Sequence, residues 1–316
     1  MRPWPALAGM AKLLELRGGE TLFYYASGNG PARGPGAKKP LVVLIHGLGD
    51  EADSWRGLIP LLGERCRVLA PDLPGFGRSA APGKISVKRH IRAIIRLLEE
   101  EGAGRENPAI LAGNSMGALI AEGAALSRPE LAKALILIDG CFPLAAKPDR
   151  GLLFLCLPFL GKRWYRRFRE DHDAAYRSLF PYYADFEAMG EADRRFLRER
   201  VIERVESAAQ ERAYFASLRS MVRVSLATGR RFLKKLDLFL RGSAGSARAA
   251  GDISKRLLMI WGEKDIVMPQ ASAKLLREAF PEAAFAVIGG AGHLPHQEKP
   301  GETAAAILRF LDRQVD

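Results

Sequence analysis

Three residues far apart in the chain have the side chains and settings for nucleophilic acyl chemistry: Ser115, Asp265 and His293. Ser115 lies in Gly113-Asn114-Ser115-Met116-Gly117, directly after the apolar run 108–112. A serine with glycine two positions away on either side, between a buried strand and a helix, fits a strained turn that holds its hydroxyl clear of the backbone. A larger residue at Gly113 or Gly117 would collide with the neighbouring strand or helix in so tight a turn. Ser115 is the candidate nucleophile. In a chain with 32 glycines the pentapeptide alone is a weak signal, so a base, an acid and an oxyanion site must stand with it.

The candidate base is His293, in a glycine-rich loop 289–293 that follows the apolar strand pattern Phe285-Ala286-Val287-Ile288. Such a loop presents a side chain from a rigid scaffold. His296 is its rival, and the chain has only five histidines. The candidate acid is Asp265, in the turn leaving the apolar run Leu257-Leu258-Met259-Ile260-Trp261. A carboxylate there accepts the second imidazole N–H, fixes the tautomer and stabilises the imidazolium formed when serine is deprotonated. Glu263 and Asp139, the latter ending the run 134–138, are alternatives.

The oxyanion site is expected at His46-Gly47-Leu48-Gly49, after the central strand pattern 41–45. There the N–H of Leu48 and the N–H of Met116 would point at one spot and stabilise a tetrahedral intermediate. His46 is then a brace for the loop, with Gly47 allowing the turn. Asp72, ahead of Leu73-Pro74-Gly75-Phe76-Gly77-Arg78-Ser79, reads as a carboxylate that ties down local backbone N–H groups.

Taken in order, these pieces resemble the α/β-hydrolase superfamily: His46-Gly47-Leu48-Gly49, the Asp72 to Ser79 segment, the Ser115 pentapeptide, Trp261 to Asp265 with Pro269, and Gly292-His293 with Glu298 and Pro300. The chain order of nucleophile, acid and base is that of these hydrolases. In the family pattern the histidine follows a glycine and precedes Glu-x-Pro, which puts the role on His293 and not His296. A serine at 115 argues against the branches that use an aspartate nucleophile.

The elements that must position these residues follow from periodicity. A hairpin is expected at 11–16 and 20–26, and an exposed loop at 29–39. Strands near 41–46, 66–71, 108–113, 134–139, 257–262 and 284–288 alternate with helices near 54–63, 86–101, 116–128, 269–280 and 301–313. This alternation predicts an α/β fold, a mostly parallel eight-stranded sheet with helices on both faces. Apolar runs without alternation imply burial on both sides of the sheet. Sites on such sheets lie at the carboxyl ends of the strands, where all the candidates fall. The core is expected at 1–140 and 255–316, with Gly242 to Ala247 as a flexible return linker.

Residues 141–254 contain helical patterns with i,i+4 charge pairs, as in 191–202, and read as an inserted helical cap. In the resembling family an insertion here shapes the acyl or alcohol pocket. Residues 141–256 hold 24 Lys or Arg and 14 Asp or Glu, so they carry +10 of the chain's +12. Leu152-Leu153-Phe154-Leu155-Cys156-Leu157-Pro158-Phe159-Leu160 runs into a basic, aromatic stretch, Gly161 to Arg169. Two readings stand. The apolar stretch packs over an acyl pocket with the arginines as a solvated rim, or it meets an anionic membrane surface. A basic surface also suits nucleic acid, but no base-reading motif accompanies it and none is expected as a partner.

The 316 residues, nearly half of them hydrophobic, suffice for one core with an insertion. Cys66, Cys141 and Cys156 have no metal-type spacing, which fits reduced thiols and a cytoplasmic setting. The first residues lack the apolar core of a signal peptide, and no run reaches membrane-spanning length, so a soluble or peripherally bound protein is expected. The resemblance implies a serine hydrolase for carboxylic esters, of medium-chain or monoacylglycerol type given the apolar cap, with a small-molecule substrate and no cofactor or metal. The same elbow also resembles that of hydrolases cleaving carbon–carbon bonds in ring-fission diketones. Those usually carry more glycine where Leu48-Gly49-Asp50 stands here. A non-catalytic binding protein on the same fold is the third reading.

Overall fold

Leu41, Val43 and Ile45 face one side of a central strand and Val42 and Leu44 the other, and all five are buried. That double burial organises the molecule. The computed structural model of the protein describes residues 1–316 except 17, 29–38, 141–153, 158, 242–254, 269 and 314–316, and excludes the side chains of 226–233 and 270. The expected loop at 29–39, the Gly242 linker, Cys141, Pro269 and part of the apolar stretch from Leu152 thus lie wholly or mostly outside the described residues.

Eight strands form one sheet: β1 (Ala11–Leu16), β2 (Glu20–Ser27), β3 (Leu41–Ile45), β4 (Arg67–Pro71), β5 (Ala109–Asn114), β6 (Ala132–Ile138), β7 (Leu257–Gly262) and β8 (Ala284–Ile288). Their order is β1-β2-β4-β3-β5-β6-β7-β8. β2 is antiparallel to β1 and to β4, and β3 to β8 run parallel. Helices α2 (Val87–Glu100) and α3 (Met116–Ser127) cover the face of Leu41 and Val43, through Ile94, Leu97 and Ile120. Helix α1 (Leu58–Gly63) and the C-terminal helix Pro300–Asp312 cover the other, through Leu58, Leu62, Ile307 and Phe310.

The register aligns the strand ends. Ile45 pairs with Gly113, Asn114 with Ile138, Ile138 with Ile260, and Gly262 with Ile288. The turns after β3, β5, β6, β7 and β8 therefore leave the sheet along one edge.

Short elements escape the periodicity, among them 3-10 helices Pro5–Met10, Pro129–Leu131 and Phe180–Tyr182 and a helix Pro295–Glu298. The helix expected over 54–63 is divided into a 3-10 turn Ala52–Trp55 and α1, because Asp53 and Ser54 there bond outside the helix. Between β6 and β7 the described residues form helices Leu160–Glu170, His172–Arg177, Glu191–Glu206 and Ala208–Leu240. Tyr165, Val201, Val205 and Phe215 make a small core of their own. The last of these helices ends against the sheet layers, with Leu236, Phe239 and Leu240 in the main core.

Candidate active site

Ser115 sits between β5 and α3 with φ 53° and ψ −118°. A non-glycine residue in that region costs about 1–3 kcal/mol and persists only where its surroundings impose it. They do so by close packing. A Cβ on Gly113 would lie 2.2 Å from the Gly117 carbonyl, and one on Gly117 would lie 2.0 Å from the carbonyl oxygen of Ile45. Gly140, which the sequence did not single out, closes the turn from the β6 side, since a Cβ there would lie 2.6 Å from the Ser115 Cα. Ser115 N–H donates to the Ile138 carbonyl at 3.0 Å.

His293 and Asp265 meet directly, with Nδ1 2.9 Å from Oδ2, and both are buried. The other Asp265 oxygen accepts the N–H groups of Val267 and Met268 at 2.7 and 2.9 Å, which fixes the carboxylate in its turn. Asn114 joins this pair to the elbow. Its Nδ2 donates to the carbonyls of Ile138 and His293 at 3.2 and 3.1 Å. The helical segment holds the same loop from above, as His293 N–H donates to the Tyr182 carbonyl at 2.8 Å. Glu298 takes the N–H of Gly292 on one oxygen and that of Ala184 on the other, at 2.6 and 2.8 Å. A contact such as Tyr182 to His293 spans more than a hundred residues and leaves no local signal. Asn114 was in view inside the pentapeptide, and its amide is the one group there able to donate to two carbonyls.

The alternatives are placed elsewhere. His296 is buried against Trp55, ring centroids 4.1 Å apart, with Nε2 2.9 Å from Ser54 Oγ. Burial above all, with the Arg56 guanidinium adding to it, holds its pKa well below the usual range. Glu263 accepts the Gly290 N–H at 2.8 Å. Asp139 lies at the site but is engaged differently: Oδ1 accepts the Gly262 N–H at 2.8 Å, and the backbone has φ 43°. Burial, and then the Asp265 carboxylate beside it, push the Asp139 carboxyl well above its ordinary range. Side-chain ligand atoms of Asp139, Asp265 and His293 fall within 4.8 Å of one another, as in a metal cluster. His293 and Asp265 are already bonded to each other there, through Nδ1 and Oδ2.

The loop after β3 is braced on both sides of its first turn. His46 Nδ1 lies 2.8 Å from the Gly47 carbonyl, and its Nε2 accepts the Leu73 N–H at 2.9 Å. One nitrogen donates and the other accepts, so the ring is neutral, in keeping with a pKa lowered chiefly by burial. Asp72 accepts the Ala52 N–H at 2.7 Å and the backbone and side chain of Arg78 at 2.7–2.9 Å. Gly47 lies against the elbow, since a Cβ there would stand 3.2 Å from the Asn114 amide oxygen and 3.5 Å from the Ser115 Cβ. Leu48 follows it. Met116 is the first residue of α3, whose N–H has no partner within the helix. Tyr214 covers Gly49, with its ring 3.2 Å from where a Cβ would stand. The Tyr182 ring is 6.0 Å from that of His293.

Known proteins resemble the chain in sequence and in fold. The chain is 26% identical over 272 residues to the pimeloyl-[acyl-carrier protein] methyl ester esterase of Aeromonas hydrophila, covering 86% of this chain and 95% of that one. Among solved structures it superposes on ALR0039, a putative alpha/beta hydrolase from Nostoc sp PCC 7120, with a TM-score of 0.75 at 20% identity, over 95% and 97% of the two chains. It also superposes on Cfl2 from Burkholderia cenocepacia, with a TM-score of 0.74 at 22% identity and 95% coverage of both. The profile of the Alpha/beta hydrolase family matches residues 42–306, from β3 into the C-terminal helix, and to that family the chain belongs.

Proposed function

We propose that the protein hydrolyses carboxylic esters through an acyl-enzyme on Ser115, with His293 as base and Asp265 as its orienting acid. The observation that carries this reading is the 2.9 Å His293–Asp265 bond, tied by Asn114 to a serine held at positive φ. With Nδ1–H donating to Asp265, Nε2 is the nitrogen left to accept a proton. Ser115 Oγ attacks the ester carbonyl carbon and its proton passes to Nε2. The N–H groups of Leu48 and Met116 take the negative oxygen. The intermediate collapses, the C–O bond to the alcohol breaks, and the alcohol leaves with the proton from Nε2. Water then attacks the acyl carbon, gives its proton to Nε2, and Ser115 leaves reprotonated as the acid is freed. No step calls on a cofactor.

Ester chemistry is favoured by the Aeromonas relative, named for a methyl ester. An apolar acyl group of medium-chain or monoacylglycerol type is favoured by the helices, read as a cap over 141–254, which set Tyr182 and Tyr214 beside His293 and Gly49. A chromogenic ester series of rising acyl length, with the wild type and Ser115→Ala, tests both points. Turnover that peaks at intermediate length and vanishes in the variant is expected; a wild type that turns over a ring-fission diketone and no ester contradicts the reading.

The same cap supports peripheral contact with an anionic membrane. Phe159 is 88% exposed, and Phe154, Leu157 and Leu160 are exposed beside it. The helix Leu160–Glu170 already buries Tyr165 and part of Trp164 and Phe168 in the cap core, while Arg163, Arg166 and Arg167 face solvent. Apolar tip and basic face together suit the headgroup boundary. No helix among the described residues is long and apolar enough to cross a membrane. Anionic vesicles at low salt are expected to sediment the wild type and leave Phe159→Glu in solution; equal recovery with neutral vesicles removes the contact.

A further inference from the structure

Arg204, in the last turn of the helix Glu191–Glu206, reaches the loop that follows β3. Its Nε and Nη2 donate to the two oxygens of Glu51 at 2.8 and 2.7 Å, a forked pair, and Nη2 also donates to Asp50 Oδ1 at 2.9 Å. The Glu51 side chain is 1% exposed, that of Arg204 11% and that of Asp50 14%. Burial alone would raise the Glu51 carboxyl, but the guanidinium outweighs it and holds the group below its ordinary range. The network extends further, as Gln297 donates to Asp50 at 3.4 Å and to Ser54 at 2.7 Å and accepts the Tyr183 hydroxyl at 3.0 Å.

Three charges so buried are a poor source of stability, since well-packed apolar residues of similar volume commonly do as well or better. What a forked Arg–carboxylate pair supplies is direction. Asp50 and Glu51 stand two and three residues after Leu48, across Gly49 at φ 75°. That glycine makes the turn adaptable, and His46 fixes only its near end. The far end is held at its side chains by Arg204, with Gln297 on Asp50, and at its backbone by Asp72, which takes the Ala52 N–H at 2.7 Å.

We propose that Arg204 is a positioning residue for the oxyanion site: by gripping Asp50 and Glu51 it sets the direction of the Leu48 N–H, so the acceptor of negative charge is complete only while this helix is seated. The inference rests on the serine-hydrolase reading. It makes the helical segment a participant in the rate, in addition to any part in substrate choice.

The test compares Arg204→Met, Arg204→Lys and Glu51→Gln with Asp193→Asn, which breaks another ion pair of the same helix, Arg56 to Asp193 at 2.6 Å. Each variant is titrated with a fluorophosphonate to count folded sites. Then kcat, KM and Tm are measured on a soluble short-chain ester. Arg204→Met is expected to lower kcat per titrated site by about tenfold to a hundredfold, with KM changed less than about threefold, as for a weakened oxyanion donor. Arg204→Lys and Glu51→Gln should fall between it and the wild type, and they carry the test if the methionine variant does not fold. Asp193→Asn should lower Tm and leave kcat within about twofold. If Arg204 variants lose Tm but keep kcat per site, or lose only KM, the positioning role is overturned. An inactive wild type instead overturns the hydrolase reading and this inference with it.

Discussion

The carboxyl edge of the sheet and the helical segment over it are held together by opposite means. Along the edge, backbone meets backbone at glycines, and the 2.0 Å approach that a Cβ on Gly117 would make to Ile45 shows how little room remains. Over it, the helix Glu191–Glu206 is fastened by ion pairs and aromatic rings: Arg204 to Glu51, Arg56 to Asp193, Trp4 against Phe196 at 4.7 Å. Steric closure confines the elbow around Ser115, and hydrogen bonds to Asp265 and Asn114 hold His293 beside it. Charged fasteners tolerate more substitution and more movement.

The largest expected effect tests the edge itself, where two carboxyls stand near one imidazole. Asp265→Asn should cut kcat by about 10³–10⁴-fold with the fold intact. Its Oδ1 can still take the N–H groups of Val267 and Met268, but its amide would donate to Nδ1 and leave the proton on Nε2. Asp139→Asn keeps the acceptor for Gly262 and should stay within about threefold of wild type. Reversed results would make Asp139 the acid.

Smaller effects set the two regions side by side. Gly117→Ala is expected to cost about 3 kcal/mol or more in denaturant unfolding. Gly190→Ala, at the start of the helix Glu191–Glu206, has only the Asp193 carboxylate at 3.9 Å from its Cβ and should stay within about 0.5 kcal/mol. Equal costs would erase the distinction drawn here. Smaller still is a pH effect. A carboxyl whose folded pKa lies above its unfolded value near 3.8 contributes stability below that pH, and loses it as pH rises through the folded value. Asp139 is such a group. The Tm of the wild type should fall relative to that of Asp139→Asn as pH rises from 4 toward neutral, and parallel curves would show Asp139 ionised in the folded protein.

Most of the edge was legible in the chain, for a physical reason. Strands such as 41–45 and 257–262 are buried on both faces, so their apolar runs are continuous, and the glycines needed for close approach fall within two residues of Ser115. Gly140 and Tyr182 were not legible. Each acts on a residue brought near only by the sheet, and neither carries a local pattern. Asp139 shows the limit most sharply: like Asp265 it is a carboxylate just past a strand end, and its partners in the fold are what give it a different setting. The helical segment was legible as helix and as charge. Which arginine grips the loop after β3, and which is solvated, depends on packing that i,i+4 spacing does not encode.

The central claim is an acyl group carried on Ser115 with His293 as base. Rapid quenching of the wild type, His293→Ala and Ser115→Ala with a slowly deacylating ester, followed by peptide mass analysis, reads it directly. One acyl adduct is expected, on Ser115 of the wild type, forming at least about 10³-fold more slowly in His293→Ala and absent from Ser115→Ala. An adduct on another residue, or full turnover by Ser115→Ala, would contradict it.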